Sequence, residues 1–356
     1  MSYFKKYISI KLILINVLIF FLLIILIEIS SGIFFKKLAV DCNYVLCNAN
    51  YSYRTKLYTL DEKLIIYKKD QYGFRERKNN NLNNIDILVV GGSTTDERYL
   101  NIEDTWTYRL EQLFKKKIQV INAGIDGQST KGHIWNFNNW FNKINNFKTK
   151  YIIFYVGINE NDNDNGRYDN QLDTTNVYNF VKIILRKNNG FFYNNLNKII
   201  NIKDQNNVGH NSKRLTNNFI EVKHDILTEE RKYYNLKIQT KERIEELIKL
   251  SRSINSVPIF ITQKTLRWKI EDDNKNKKEV IYSIDDSINY YAKEKIISDI
   301  IINTCEINNV VCINAFDNLK LNTDDTYDYV HTNPKGSKKI AQFIYENLKE
   351  INLLGE

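Results

Sequence analysis

The feature that most constrains this chain is an alternation. Short apolar runs at 86–91 (DILVVG), 118–124 (IQVINAG), 151–157 (YIIFYVG), 257–263 (VPIFITQ) and 310–316 (VVCINAF) are each followed, sooner or later, by a longer stretch with helical spacing. Those stretches are 104–116, 129–147, 228–254, 283–307 and 334–351. A run that is apolar throughout reads as a strand buried on both faces. Strands separated by helices run parallel, because each helix carries the chain back to the edge where the next strand starts. The expected architecture is an α/β sandwich of three layers, with a five-stranded parallel sheet between helices. Local signals support the boundaries. Asp104 and Ser129 stand where N-caps belong, and Asn333 with Pro334 marks the start of the last helix. Ile134, Phe137, Phe141 and Ile144, with Trp140 beside them, form a stripe expected to face the core.

The segments outside the alternation differ in kind. From Tyr7 to Ile27 the only strongly polar residues are Lys11 and Asn16. Twenty-one residues of helix span about 31 Å, close to the hydrocarbon thickness of a bilayer. No small-x-small cleavage site follows, so residues 1–37 are expected to form an uncleaved, single-pass membrane anchor. Lys5, Lys6 and Lys11 before the apolar core and Lys36 and Lys37 after it favour an N-in, C-out orientation, with the rest of the chain outside the cytoplasm, periplasmic in a bacterium. Residues 38–84 read as a membrane-proximal segment of short strands and a polar turn, and 85–356 as the main domain. Within that domain, about 160–226 is a polar insertion too long for an ordinary loop, with a short helix expected near 174–186.

Charge and cysteines narrow the partners. The formal net charge is +9, but the cations are scattered among Asp and Glu, with no basic stripe interleaved with aromatics. Nucleic acid is therefore not an expected partner. Of four cysteines, Cys42 and Cys47 are close enough to bridge in an oxidising compartment, whereas Cys305 and Cys312 lie in apolar surroundings and read as core thiols. No histidine stands near a cysteine pair, so no metal site is expected, and no cofactor.

In a parallel sheet of this kind, sites form beyond the carboxyl ends of the strands. The loops there are GGSTTD, NAGIDGQS, GINEND, QKT and DTYDYVH. They bring Ser93, Gly124, Asn159, Asp328 and His331 to one face. A serine hydroxyl needs a base to become a nucleophile. Four histidines are available: His210 and His224 sit in or beside the insertion, and His133 opens a helix. His331 follows the fifth strand with Asp328 three residues before it, a spacing that lets a carboxylate orient the imidazole. Acyl transfer also needs oxyanion donors. Ser93 opens a turn into a helix, Gly124 leaves its N–H unobstructed, and Asn159 offers an amide. A phosphate cradle is disfavoured, since neither G-x-x-x-x-G-K-[ST] nor G-x-G-x-x-G occurs. A non-catalytic module that binds polysaccharide or an assembly partner is a second class of reading.

Taken as a set, VVGGSTT, VINAGIDGQS, YVGINEND and DYVHTNPKGSKKIA resemble the four blocks of the SGNH hydrolases, or GDSL-type esterases, over about residues 85–350. The resemblance implies a flavodoxin-like five-stranded sheet and an acyl-enzyme mechanism. It gives Ser93 as nucleophile, His331 as base, Asp328 as the orienting acid, and Ser93, Gly124 and Asn159 as oxyanion hole. It implies an acyl ester as substrate, with acetyl esters of envelope saccharides the favoured class. The same residues would also serve an O-acyltransferase. QYGFR at 71–75 is similar to membrane-anchored members of envelope polysaccharide systems. Two positions depart from the pattern: Gly92 stands where the name-giving Asp is common, and Glu160 where Asp commonly follows the block asparagine. Both bear on subfamily and substrate rather than on reaction class.

Overall fold

The computed structural model describes residues 2–31, 45–75, 82–115, 117–161, 219–222, 226–273, 278–284 and 289–351. The chain divides into two compact units. The first, Met1–Asn43 with Leu172–Asn207, contains helix α1, Ser2–Ser31. Side chains of α1 are described over 11–26, and those between Leu12 and Leu26 include large apolar groups about half exposed or more. The expected spanning anchor is not found: among the described residues no helix is long and apolar enough to cross a membrane. The expected helix near 174–186 lies outside the described residues, as do His210, His224 and Cys42.

The second unit, Tyr44–Gln171 with Val208–Glu356, carries everything else. In chain order its elements begin with the strands β1 (Asn50–Thr55) and β2 (Lys63–Lys68). Then come β3 (Ile85–Gly91), α2 (Ser93–Asp96), α3 (Trp106–Leu113), β4 (Val120–Asn122), α4 (Thr130–Asn139) and β5 (Thr149–Tyr155). After the insertion follow β6 (Ile220–Glu221), α5 (Ile226–Lys232), α6 (Tyr234–Ser253), β7 (Val257–Ile261), β8 (Trp268–Asp273) and β9 (Lys278–Ser283). The chain closes with α7 (Tyr290–Ile307), β10 (Val311–Ile313), α8 (Ala315–Asn318) and α9 (Pro334–Glu350).

Strands β10, β7, β5, β3 and β4 form, in that order, one parallel sheet. Counted along the chain this is 2-1-3-4-5, the flavodoxin-like order, and it reverses direction between β3 and β5. All five expected strands are present. The central ones are buried on both faces, which is why β3 reads Ile-Leu-Val-Val without alternation. Val89, Ile153, Tyr155 and Ile261 pack with Trp106 and Leu110 of α3 and Ile340 and Ile344 of α9. On the other face Phe154 stacks on Phe260 at 4.8 Å and on Phe137 of α4 at 6.3 Å, and α4, α6 and α7 cover that side. Phe137, Phe141, Ile144 and Trp140 are buried, as the stripe required.

Several expectations change. The cap of α3 is Thr105, whose hydroxyl accepts from Tyr108 N at 3.4 Å; Asp104 instead binds Arg109 at 2.8 Å and Lys63 at 3.1 Å. The expected helix at 228–254 breaks at Tyr233 into α5 and α6. The expected helix at 283–307 begins only at Tyr290, because the β-branched and aromatic residues of 278–283 pair as β9 with β8 and β6 in an antiparallel three-stranded sheet. Ser129 and Asn333 do cap their helices.

The membrane-proximal segment forms an antiparallel hairpin, β1 with β2. In β2, Ile65 and Tyr67 face inward while Leu64 and Ile66 face out, the period of two that a half-buried strand requires. QYGFR then fastens it to the domain. Asp70 Oδ1 accepts from Tyr72 N and Phe74 N, Gly73 takes φ +91°, and Phe74 stacks on Trp140 at 4.8 Å. Arg75, 1% exposed, lies 4.5 Å over the Tyr67 ring and donates to Leu100 O at 2.9 Å. Cys47 is disulfide-bonded, whereas Cys305 and Cys312 are free. Cys305 is buried and Cys312 half-buried beside it; the contact between the two thiols, with burial, pushes the Cys312 thiol up.

Candidate active site

Strand β3 delivers Ser93 to the sheet's carboxyl edge. The two glycines before it are steric necessities. A Cβ on Gly91 would lie 2.2 Å from Thr95 Oγ1, and one on Gly92 would lie 2.4 Å from Asn159 Nδ2 and 3.0 Å from Gln128 O. The turn into α2 and the loops after β4 and β5 therefore close on bare backbone. Beside Gly92, where the name-giving Asp is common, the Asn159 amide lies in the space that a Cβ would take. The N–H groups of Thr95 and Asp96 bind Gly92 O, while among the described residues the Ser93 N–H has no partner.

The loop between α8 and α9 brings the base. It turns back on itself through the Thr326↔Thr332 bridge and the Tyr327 N–H, which donates to His331 O at 3.1 Å. Asp328 Oδ1 accepts from Val330 N at 2.7 Å and His331 N at 2.6 Å, and its Oδ2 lies 2.7 Å from His331 Nδ1. His331 Nε2 lies 2.8 Å from Ser93 Oγ. Residues 238 positions apart along the chain thus form one hydrogen-bonded line, hydroxyl to imidazole to carboxylate. Burial raises the Asp328 carboxyl, but the hydrogen bond and charge of His331 and the two backbone N–H groups outweigh it, holding the group below the usual carboxylate range. Tyr327 stacks parallel to the imidazole, 5.6 Å between centroids and 8° between planes, which fixes the ring's tilt.

Asn159 follows β5 and donates from Nδ2 to Gln128 O at 3.0 Å, so the β4 and β5 loops meet above Gly92. Gly124 does not fill the expected role. Its N–H is taken by Asn122 Oδ1 at 2.9 Å, and its carbonyl accepts from buried Lys69 Nζ at 2.9 Å. The glycine is there because a Cβ would lie 2.3 Å from Asp96 N. In that loop the N–H of Gly127, at φ +73°, has no partner among the described residues, nor has that of Asp126. Gly127 immediately precedes Gln128, whose carbonyl meets the Asn159 amide. Gly127 alone of the two glycines takes a positive φ, a distinction that the sequence does not carry.

A buried shell supports these groups. Gln128 is gripped by His133, Nδ1 to Oε1 at 2.9 Å, and by Asn136 at 2.9 Å through both its amide atoms. Burial drives His133 down to about 3, so this histidine is a neutral structural partner rather than a base. Glu160, the second departure from the block pattern, accepts from Thr130 N at 2.9 Å and Thr130 Oγ1 at 2.7 Å and pairs with Arg243 at 3.4 Å. Its longer side chain reaches the first turn of α4 and ties it to α6. Glu97 accepts from Trp106 N at 2.7 Å, Thr332 Oγ1 at 3.0 Å and Ser337 Oγ. It joins the end of the Ser93 helix to the residue after His331, and burial raises it to about 7. Gln263, after β7, donates to Thr94 Oγ1 at 2.8 Å. None of Glu97, Gln128 or Gln263 stood out in the sequence: Glu97 and Gln263 act through contacts up to 240 and 169 positions away, and Gln128 through the fold of the loop before α4. No metal-holding cluster of His, Cys, Asp or Glu occurs among the described residues.

This geometry accords with a family match. The model of the GDSL-like lipase/acylhydrolase family aligns with residues 87–344. The chain belongs to this family. It is a carboxylic-ester hydrolase of the GDSL type, and its flavodoxin-like sheet is the fold expected of one. A search of curated proteins finds no match. Among solved structures, a member of the lipolytic G-D-S-L family from Veillonella parvula is similar at 13% identity, covering 74% of this chain and 98% of that one with a TM-score of 0.41. A carbohydrate acetylesterase from Sinorhizobium meliloti is similar at 10% identity, covering 75% and 99% with a TM-score of 0.39. A GDSL-like lipase from Bacteroides thetaiotaomicron is similar at 10% identity, covering 75% and 88% with a TM-score of 0.38. Such distant likenesses add nothing to the family match.

Proposed function

We propose that this GDSL-type hydrolase acts on acyl esters, acetyl esters of saccharides foremost, through a Ser93–His331–Asp328 triad and an acyl-enzyme. The observation carrying the reading is the continuous line of 2.8 Å and 2.7 Å contacts from Ser93 Oγ through His331 to Asp328. In the first half-reaction Ser93 Oγ attacks the ester carbonyl while His331 Nε2 takes its proton. Asp328 holds Nδ1–H and offsets the imidazolium charge. The carbonyl oxygen, now an anion, is met by the N–H groups of Ser93 and Gly127 and by Asn159 Nδ2. The tetrahedral intermediate expels the alcohol, which leaves with the proton from His331. Water then repeats the sequence on the acyl-enzyme and releases the acid. A sugar hydroxyl in place of that water makes the same machinery an O-acyltransferase.

A fluorophosphonate probe is expected to label the full chain and to leave Ser93→Ala unlabelled; labelling that persists puts the nucleophile elsewhere. His331→Ala should cost orders of magnitude in ester turnover. Supplying an acyl donor with and without a glycan acceptor then separates hydrolase from transferase by product.

The localisation we propose is outside the cytoplasm, with α1 holding the chain at a membrane. Supporting it are the exposed apolar side chains of α1 and the disulfide of Cys47, since such bonds persist in oxidising compartments. Recovery of the full chain in the soluble fraction of gently lysed cells would end this part of the reading.

A further inference from the structure

We propose that Tyr53, Tyr58, Tyr99 and Tyr327, with the Arg98–Asp126 ion pair, form a subsite that holds a saccharide ring in the alcohol part of the ester. This rests on the esterase reading above and names the substrate class of the same site.

The wall starts at the base. Tyr327 stacks on His331, and from it two rings lead outward: Tyr99 at 6.4 Å, edge-on, and Tyr58 at 6.2 Å. Tyr53 continues the wall, 5.2 Å from Tyr99. The Tyr58 hydroxyl donates to Tyr99 O at 2.9 Å, which locks the hairpin to the loop after α2. Tyr53, Tyr58 and Tyr99 are half-buried, and Lys63 Nζ lies 5.8 Å over the Tyr58 ring. At the rim Arg98, with 27% of its side chain exposed, pairs with Asp126 at 3.6 Å. Asp126 immediately precedes Gly127 of the oxyanion loop. Behind it Asp96 anchors Arg98 at 3.8 Å and is itself held by the Tyr67 hydroxyl at 2.9 Å.

The chemistry selects a sugar. A pyranose presents weakly positive C–H faces, which suit the electron-rich faces of aromatic rings, and a girdle of hydroxyls that both donate and accept. The tyrosine rings offer the first contact and the Arg98–Asp126 pair the second, donor and acceptor side by side. A fatty chain fits worse: covering the ion pair and phenol groups with hydrocarbon strips their water and returns no hydrogen bond. The family match begins at residue 87, so Tyr53 and Tyr58 are contributed by a segment outside it. That places the specificity element on the hairpin and the reaction machinery on the sheet.

The test compares kcat/KM of the full chain on an acetylated methyl glucopyranoside and on ethyl acetate, an ester without a ring. For Tyr53→Ala and Tyr99→Ala the ratio of the two should fall about three- to tenfold, the scale of one lost ring contact, whereas Tyr99→Phe should keep it. An unchanged or higher ratio in both alanine variants overturns the subsite. As a second reading, methyl glucopyranoside should inhibit wild-type ethyl acetate hydrolysis competitively, and absence of inhibition overturns it equally. Failure of the esterase reading is distinguishable, because then Ser93→Ala would hydrolyse both esters as well as wild type.

Discussion

Glu97 offers the sharpest test of how this site is held together. It is 5% exposed, and its carboxylate accepts three hydrogen bonds from three elements. Those bonds do not fully offset the loss of water, so burial raises the group from 4.5 to about 7. The native state therefore binds a proton more tightly than the unfolded chain. The stability this contributes is complete below pH 4.5 and is lost as pH rises through 7. A rise from 4.5 to about 7 corresponds to about 3 kcal/mol across that window. Glu97→Gln removes the titration and keeps the shape. Its carbonyl can accept from Trp106 N while its amide donates to the hydroxyls of Thr332 and Ser337, which rotate to accept. Urea denaturation of wild type and Glu97→Gln at pH 5 and pH 8 measures the difference. Wild type should lose about 2 to 3 kcal/mol more than the variant over this range. Parallel pH dependence in the two proteins would show that Glu97 is an ordinary carboxylate and that the buried junction does not exist.

Three further outcomes follow from the geometry. Asp328→Asn should keep the fold but lower kcat by about three to four orders of magnitude, because an amide can donate to Nδ1 and select the wrong tautomer; steady-state kinetics on a small ester checks it. Asn159→Ala should cost about a hundredfold or more in kcat with KM little changed, as expected for a donor that acts on the developing oxyanion. Gly124→Ala should lower the melting temperature in thermal melts, since its Cβ would meet the Asp96 backbone N at 2.3 Å.

The alternation of apolar runs and amphipathic stretches was enough to determine the layered parallel sheet, and the position of Ser93 and Asn159 just past strand ends followed from it, whereas Asp328 and His331 stand in the longer loop between α8 and α9. Those inferences work because they rest on local periodicity and on the geometry of parallel connections. Strand β9 was missed, since only Val280, Ile281 and Tyr282 of its six residues favour a strand and no alternation marks them. The two glycines of the second loop show the limit most clearly. NAG and IDG are alike as text. Only the folded chain decides that Asn122 occupies one N–H while the other, held at positive φ, remains open. The buried links through Glu97, Gln128 and Gln263 and the tyrosine wall built by the hairpin are likewise tertiary facts, because a hydrogen bond or ring contact between residues tens to hundreds of positions apart leaves no periodic trace in the sequence.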